Sequence, residues 1–320
     1  MIILAIETSC DETSIAISED KKILSNATIS QIVDHSNYGG VMPSIAAKLH
    51  LKNIQKVLLS ALNESQIKID DIEYIAYTEK PGLIICLQIG KIIAETISLF
   101  LNIPLIPCNH LLGHSYASLL NKNKEWKFPA LCLIISGGHT QFYKISSHLN
   151  FEIIGQTLDD AVGECLDKAA VIMGYNYPGG PIIEKLALNG KKNYKLPFPK
   201  NDKTLDFSFS GLKSEIKRIA LKEGKLLNHY DLSFSLQEIL ADIFIKKMNL
   251  ALNQVKPKTI IFGGGVISNQ FLRKKFLSFV KNFDENIEVF IPDVEYSTDN
   301  AAMISILAYY QIKESLKLSN

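Results

Sequence analysis

The stretch Leu131–Thr140, LCLIISGGHT, constrains the fold of this chain more than any other. Leu131, Leu133, Ile134 and Ile135 have strand character. They run into Ser136, turn through Gly137-Gly138 to His139 and Thr140, and give way to a second strand-like run, Gln141–Ile145. The pattern predicts a hairpin that points a glycine turn, a hydroxyl and an imidazole out of one end of a buried sheet. Paired glycines let backbone N–H groups face an anion at close range; they also make ordinary turns. Two further stretches share the pattern. Ile2–Ile17, IILAIETSCDETSIAI, reads as strand, polar turn, strand. Thr259–Asn269, TIIFGGGVISN, reads as a buried strand, a triple glycine and a helix start at Ser268 or Asn269. Three strand-ended polar loops in one chain are able to converge on one ligand.

A length of 320 residues suggests two domains of ordinary size. With 47% apolar and 21% charged residues, the chain has the composition of a globular protein with a full core. The net charge of +1 excludes a polycation, so any nucleic-acid contact requires a local patch. The five cysteines, Cys10, Cys86, Cys108, Cys132 and Cys165, form no CxxC pair and read as reduced residues of a cytoplasmic protein. The N-terminus reads as a strand rather than a signal peptide, because Glu7 interrupts its apolar run and no basic region precedes it. The longest apolar segment, Leu83–Leu101, is broken by Gln88, Lys91 and Glu95. It is expected to be a buried amphipathic helix, with no membrane association.

Along the chain, residues 2–8 and 13–18 form the first predicted hairpin, and Ile23–Ile29 adds a strand. A helix over Ile45–Asn63, a strand at Tyr74–Tyr77, a helix to about Phe100 and a strand at Leu105–Pro107 complete an α/β domain over 1–107. Residues 108–120 bridge to a second α/β domain over 108–320. That domain contains the central hairpin, a helix over Leu158–Met173 beginning near Asp159-Asp160, and a sharp loop at Tyr177–Pro181. A basic insertion follows near 189–230, then helices over Ser233–Val255 and from Asn269, a strand at Val289–Ile291, and a last helix from about Asp299. Each half begins with a hairpin around a polar turn. The expectation is a structural duplication without sequence repeat, with a ligand cleft between the halves.

His110 and His114 are four residues apart. On a helix they share one face, with Cβ atoms about 5–6 Å apart, and are able to hold one transition metal or simply form a polar face. A zinc-protease helix requires Glu directly after the first His, and here that residue is Leu111, so the peptidase reading fails. Asp299 is the candidate third ligand, against a plain role as a helix N-cap. Two imidazoles and a carboxylate with open positions suit Fe(II) or Zn(II). Asp11 and Glu12, the candidate catalytic residues, are either solvated turn residues or the base or metal-phosphate group of an active site. Asp167 suits a ribose hydroxyl pair or a surface lysine, and Gly180 a close ligand approach or a turn. The lysines of 191–225 suit phosphates of a nucleic acid or a solvated face.

Together these segments resemble the tRNA threonylcarbamoyladenosine transferase family, formerly described as O-sialoglycoprotein endopeptidases, with the actin/Hsp70/sugar-kinase fold. The resemblance runs nearly end to end. It is carried by IETSCDET at 6–13, the His110/His114 pair, ISGGHTQ at 135–141, DDAVGECLDKAA at 159–170, YPGGP at 177–181, DFSFSGLK at 206–213, GGVISN at 264–269 and STDNAAMI at 297–304. It implies that His110, His114 and Asp299 bind one iron ion. It implies that Ile134, Ile135, Ser136, Gly137, Gly138, Asp167, Gly180 and Asn269 bind threonylcarbamoyl-AMP. The implied reaction is acyl transfer to N6 of adenosine 37 in tRNAs reading codons that begin with adenine. The implied partners are tRNA, a fold-related protein lacking the metal site, and an ATPase. An ATP-dependent phosphotransferase or a non-catalytic protein of the same fold is the alternative; neither needs a helical histidine pair. The chain departs from the family pattern at Leu112, where an acidic residue is usual between the histidines, and at Lys80, Ser44 and Lys48. Leu112 implies a metal held more loosely than is usual for the family, for want of a supporting carboxylate.

Overall fold

The structure, a computed structural model, describes residues 1–319. It divides into two compact units, one of residues 1–125 with 291–320 and one of residues 126–290. The boundary expected at 107/108 differs from this division. The histidine helix packs against the C-terminal helix and the strand Leu105–Asn109, and so groups with the first unit.

In the first unit β1 (Ile2–Glu7), β2 (Glu12–Glu19) and β3 (Lys22–Ser30) form an antiparallel meander. After α1 (Ile32–His35) and α2 (Pro43–Ser65), β4 (Tyr74–Lys80) joins β1 in parallel. Then α3 (Ile84–Leu101) leads to β5 (Leu105–Asn109), parallel to β4, and on to α4 (His110–Tyr116). The sheet order is β3-β2-β1-β4-β5. Continuous apolar runs in β1 and β4 are buried on both faces, as central strands with parallel neighbours require. The core of this unit includes Leu4, Ile6, Ile15, Ile17, Ile54, Val57 and Ile75.

In the second unit β6 (Ala130–Ile135), β7 (Thr140–Ser147) and β8 (Asn150–Gln156) repeat the antiparallel meander. Four helices follow: α5 (Val162–Ile172), α6 (Gly179–Ala187), α7 (Ser210–Glu223) and α8 (His229–Val255). Then β9 (Thr259–Gly263) pairs in parallel with β6, α9 (Gln270–Phe283) follows, and β10 (Glu288–Phe290) pairs in parallel with β9. The sheet order β8-β7-β6-β9-β10 has the same plan as the first: three hairpin-connected strands, then two parallel strands reached through helices. The expected duplication is therefore present in topology. The chain closes in the first unit with α10 (Ala302–Ser319), which packs on α4, β1 and β2.

Three local expectations change. The helix expected from Leu158 starts at Val162, because Asp159 and Asp160 serve other partners. Asp159 accepts hydrogen bonds from Ser208 Oγ, Phe209 N–H, Ser210 N–H and Ser210 Oγ, which tie it to the start of α7, and Asp160 pairs with Lys168 and Lys213. The loop expected at Tyr177–Pro181 becomes helical from Gly179. The expected buried helix over 83–101 is buried along one face only, at Cys86, Ile89, Gly90 and Ala94. Ile84, Ile85, Ile92, Leu99 and Phe100 are exposed, since α3 rests on β4 and α2 through a single side. By length and composition α3 is the one helix among the described residues apolar enough to cross a membrane.

Candidate functional site

The first unit brings His110, His114 and Asp299 together. β5 ends at Asn109, whose side chain accepts the Leu112 N–H at 3.1 Å and so starts α4 directly at His110. Gly113 lies between the histidines on the face toward α10. A Cβ there would stand 3.0 Å from Ile304 Cδ1 and 3.3 Å from Met303 O, so the missing side chain lets α4 approach the start of α10. The segment before α10 is anchored on the sheet: Ala301 N–H donates to Ser14 Oγ at 2.9 Å, and Ala302 N–H to Asn26 Oδ1 at 3.2 Å. Asn300, not Asp299, caps the helix, accepting the Met303 N–H at 3.1 Å. The plain N-cap role weighed for Asp299 therefore belongs to its neighbour. Asp299 Oδ1 lies 3.1 Å from His114 Nε2 and 3.6 Å from His110 Nε2.

This donor set fits a metal ion. One ligand atom from each of the three residues lies within 4.8 Å of the others. His114 is wholly buried, and neither of its ring nitrogens makes a hydrogen bond among the described residues, an arrangement that costs free energy unless something else satisfies the ring. His110 Nδ1 is engaged, 3.1 Å from both Glu7 Oε2 and Ser9 Oγ, which leaves Nε2 for coordination. Burial works against a charged His110, but the Asp299 and Glu7 carboxylates outweigh it and push its pKa up to about 9 without metal. Burial works to raise the pKa of Glu7, and the His110 imidazole more than reverses this, so the carboxyl sits below its ordinary value. Thr78 Oγ1 and the Ser9 N–H also donate to Glu7.

The expectation that Leu112 leaves the histidines without a supporting carboxylate is corrected by Glu7. Glu7 is the last residue of β1, and a charged residue ending the apolar run Ile2–Ile6 signals that the strand buries a paired group. Asp11 and Glu12 follow on the β1–β2 turn. Asp11 is buried, and its Oδ2 has no hydrogen-bond partner among the described residues. Glu12 Oε1 accepts from Ser30 Oγ at 3.3 Å, and burial with the nearby Asp299 and Asp11 carboxylates pushes the Glu12 carboxyl well above its ordinary range.

The second unit gathers the other candidates. Ser136 N–H donates to His139 O at 2.8 Å and His139 N–H to Ser136 Oγ at 3.1 Å, closing the turn between β6 and β7. The turn's own carbonyls receive the N-terminus of α5: Gly163 N–H donates to Ser136 O at 3.3 Å and Glu164 N–H to Gly137 O at 3.2 Å. Gly163 permits this contact, since a Cβ there would stand 2.6 Å from Ser136 O. Gly264, at φ +90°, plays the same part on the other side, with a virtual Cβ 2.4 Å from Ile135 O. The glycine turn at 136–138 and the triple glycine at 263–265 are thus neighbours, as expected. Gly137 and Gly138 differ from these packed glycines. Neither has a positive φ, and an added Cβ at either would meet nothing within 4 Å. Their N–H groups make no hydrogen bond among the described residues.

Asp167, on α5, accepts the Gly179 N–H at 2.7 Å through Oδ1 and so fixes the start of α6. Gly180 stands open, with Leu166 Cδ1 4.0 Å from its virtual Cβ as the nearest atom. Asn269 is buried. Its Oδ1 caps α9 at Leu272 N–H, and its Nδ2 donates to Gln237 Oε1 at 2.7 Å. The side chains of Ile134 and Ile135 are core, so these residues offer a ligand only their backbone.

Of the basic insertion, Lys192 pairs with Asp242, Lys200 with Asp202 and Lys213 with Asp160. Lys191, Lys195 and Lys203 are exposed and make no ion pair among the described residues.

Comparison with known proteins places these features in one family. The family described as tRNA N6-adenosine threonylcarbamoyltransferase matches residues 22–306. A protein so named from Mesoplasma florum is 48% identical over 98% of this chain and 100% of its own length. One from Mycoplasma capricolum is 47% identical over 99% of this chain and 100% of its own. Among solved structures, HypF from T. kodakarensis aligns with TM-score 0.65 at 13% identity over 98% of this chain and 48% of that one. A ROK hexokinase from Thermus thermophilus aligns with TM-score 0.53 at 12% identity over 98% and 100%. At such identities these structures share the fold alone.

Proposed function

The chain belongs to the tRNA N6-adenosine threonylcarbamoyltransferase family, and we propose on that premise that it forms threonylcarbamoyladenosine at position 37 of tRNAs reading codons that begin with adenine. The donor is threonylcarbamoyl-AMP. The adenosine N6 attacks the carbamoyl carbon, a C–N bond forms, the C–O bond to the phosphate breaks, AMP leaves, and N6 loses one proton.

In the second unit the open N–H groups of Gly137 and Gly138 suit the adenylate phosphate. Neither packing nor backbone conformation demands glycine there, so the absent side chains leave room for a ligand. Asp167 orders the Gly179-Gly180 turn, and its carboxylate suits the ribose hydroxyls. The buried Asn269 amide suits the adenylate through its remaining N–H, with Ile134 and Ile135 contributing backbone only. In the first unit His110, His114 and Asp299 would hold one ion; the donor set suits Fe(II) or Zn(II), and family resemblance favours iron. When bound, the ion supplies a Lewis acid for developing negative charge on oxygen. Asp11 and Glu12 are read as the carboxylates that accept the N6 proton.

The exposed lysines at 191, 195 and 203 support tRNA binding. The exposed apolar side of α3, with Ile84, Ile85, Ile92, Leu99 and Phe100, supports a protein partner such as the fold-related one; the ATPase partner rests on resemblance. All five cysteines are free thiols, which suits a reducing cytoplasm.

The observation that carries the reading is the His110–His114–Asp299 cluster, which a phosphotransferase of this fold does not need. The test is mass spectrometry of tRNA nucleosides in cells depleted of the chain and supplied with wild type or His114→Ala. Wild type restores threonylcarbamoyladenosine and His114→Ala does not. Unchanged modified nucleoside on depletion, or full restoration by His114→Ala, overturns the reading.

A further inference from the structure

We infer that His50 is a positioning residue for the Asp11–Glu12 turn, acting through a hydrogen bond to the carbonyl of Cys10. The inference rests on the reading of that turn as catalytic. Three successive carbonyls of the turn receive a donor from a different element. Ser9 O accepts from Leu83 N–H at 2.7 Å, Cys10 O from His50 Nε2 at 3.0 Å, and Asp11 O from Gln31 N–H at 2.9 Å. The first and third donors are backbone groups. Only the Cys10 carbonyl is held by a side chain. That carbonyl and the Asp11 N–H belong to one planar peptide, so fixing the oxygen fixes the plane from which the Asp11 side chain departs.

The protons of this network have one consistent assignment. A carbonyl only accepts, so His50 carries its proton on Nε2. Burial holds the His50 pKa below its ordinary value and keeps the ring neutral. Nδ1 is then an acceptor, with Thr13 Oγ1 at 2.8 Å and Gln31 Nε2 at 3.4 Å as donors. Beyond Gln31 the chain continues. The Met42 N–H donates to His35 Nδ1 at 3.3 Å, so His35 Nε2 is the donor to Gln31 Oε1 at 3.2 Å. Thr13, Gln31, His35 and His50 are all 0% exposed. A hydrogen-bonded line of three buried side chains, His35, Gln31 and His50, thus runs from the residue before α2 to the Cys10 carbonyl, and Thr13 joins it at His50. An apolar core would fill the same space without directing a hydrogen bond at the turn.

The test compares His50→Gln with His50→Asn in the full chain. Glutamine is long enough to put its amide N–H where Nε2 stands; asparagine reaches only to the Nδ1 position. His50→Asn is expected to lower the single-turnover rate of tRNA modification by about 100-fold, the order of loss that misplacing a reacting group causes. Nucleotide Kd, read by calorimetry, stays unchanged, and His50→Gln restores most of the rate. Equal rates in the two variants, or a loss that appears in nucleotide Kd instead, overturn the proposal. If His50→Asn does not fold, Thr13→Val carries the test, since it removes a donor to the ring at constant shape. A wild-type rate there also overturns the proposal. Asp11→Asn and Glu12→Gln are measured alongside. If both keep the wild-type rate, the catalytic reading of the turn fails whatever His50 does. If they lose it while folded His50→Asn does not, only the positioning role fails.

Discussion

Glu7 Oε2 lies 3.1 Å from His110 Nδ1, in a position where both groups are buried. A carboxylate behind a metal-binding imidazole fixes the ring's tautomer and raises its basicity as a ligand. Glu7 is itself held by the Thr78 hydroxyl and the Ser9 N–H, so its aim is set by the sheet and the turn together.

Glu7→Gln is therefore expected to weaken metal binding by about 10–100-fold. Competition against a chromophoric chelator reads the affinity directly. An unchanged affinity would mean that Glu7 merely solvates His110.

Gly163→Ala is expected to damage nucleotide binding without unfolding the chain. The added methyl would overlap Ser136 O and the backbone of Gly137, so either α5 or the glycine turn moves. Overpacking of this kind costs about 1–3 kcal/mol. Calorimetric titration with a nucleotide should show a loss, while Gly180→Ala, which has open space around it, should leave the melting temperature unchanged. Equal nucleotide affinity in Gly163→Ala and wild type would detach the turn from the ligand.

Asp167→Ala is expected to weaken nucleotide binding by about 1–3 kcal/mol, the value of a hydrogen bond to a charged group. Part of that loss comes from freeing the Gly179 N–H that Asp167 now accepts. Asp167→Asn keeps an acceptor for Gly179 and separates the two contributions. Unchanged affinity in both variants would leave Asp167 a purely structural anchor.

Much of this arrangement was legible from residue patterns. The apolar run Leu131–Ile135 before paired glycines gave the hairpin, and the runs at Ile2–Ile6 and Thr259–Phe262 gave the two other strand ends. Spacing placed His110 and His114 on one helical face; Asp299 was legible only as an acidic residue at a helix start, open equally to a cap role, because it meets the histidines through Gly113 and the anchored start of α10, and the resemblance implied the same residue. Residue patterns hide α6 because it opens on Gly179-Gly180-Pro181, and α7 because a long loop rich in lysine, with Pro197 and Pro199, leads into it. The buried line from His35 to His50 left no trace either, since polar residues inside a helical pattern look the same whether they face solvent or one another.

Asp159 carries the acid dependence of the α7 start. Burial works to raise its pKa, but hydrogen bonds from Ser208, Phe209 and Ser210 outweigh that and hold it below its ordinary value of 3.8. A carboxyl whose folded pKa is lowered stabilises the fold above its unfolded pKa, and the contribution is lost as pH falls through the folded value. Amide exchange at Phe209 and Ser210 should therefore quicken below about pH 3.8 in the wild type. In Asp159→Asn the same amides should exchange faster at neutral pH and show a flatter acid response. A variant with the wild-type acid profile would place the titration elsewhere.

Salt dependence separates the lysines that face solvent alone from those already paired. Lys191 and Lys195 make no ion pair among the described residues, whereas Lys192 lies 3.3 Å from Asp242 and Lys213 lies 2.8 Å from Asp160. A phosphate contact releases a counterion, so each lysine that makes one steepens the fall of tRNA affinity with salt. A lysine held by a carboxylate must first give up that partner. The double substitution Lys191→Ala/Lys195→Ala is expected to lower the slope of log affinity against log salt by roughly 1–2. Lys192→Ala should change it less, and Lys213→Ala should show its effect in the stability of the α5–α7 contact. Filter-binding titrations of one tRNA at several salt concentrations give all the slopes. If the double variant keeps the wild-type slope, the basic insertion is a solvated face and the tRNA lies elsewhere on the protein.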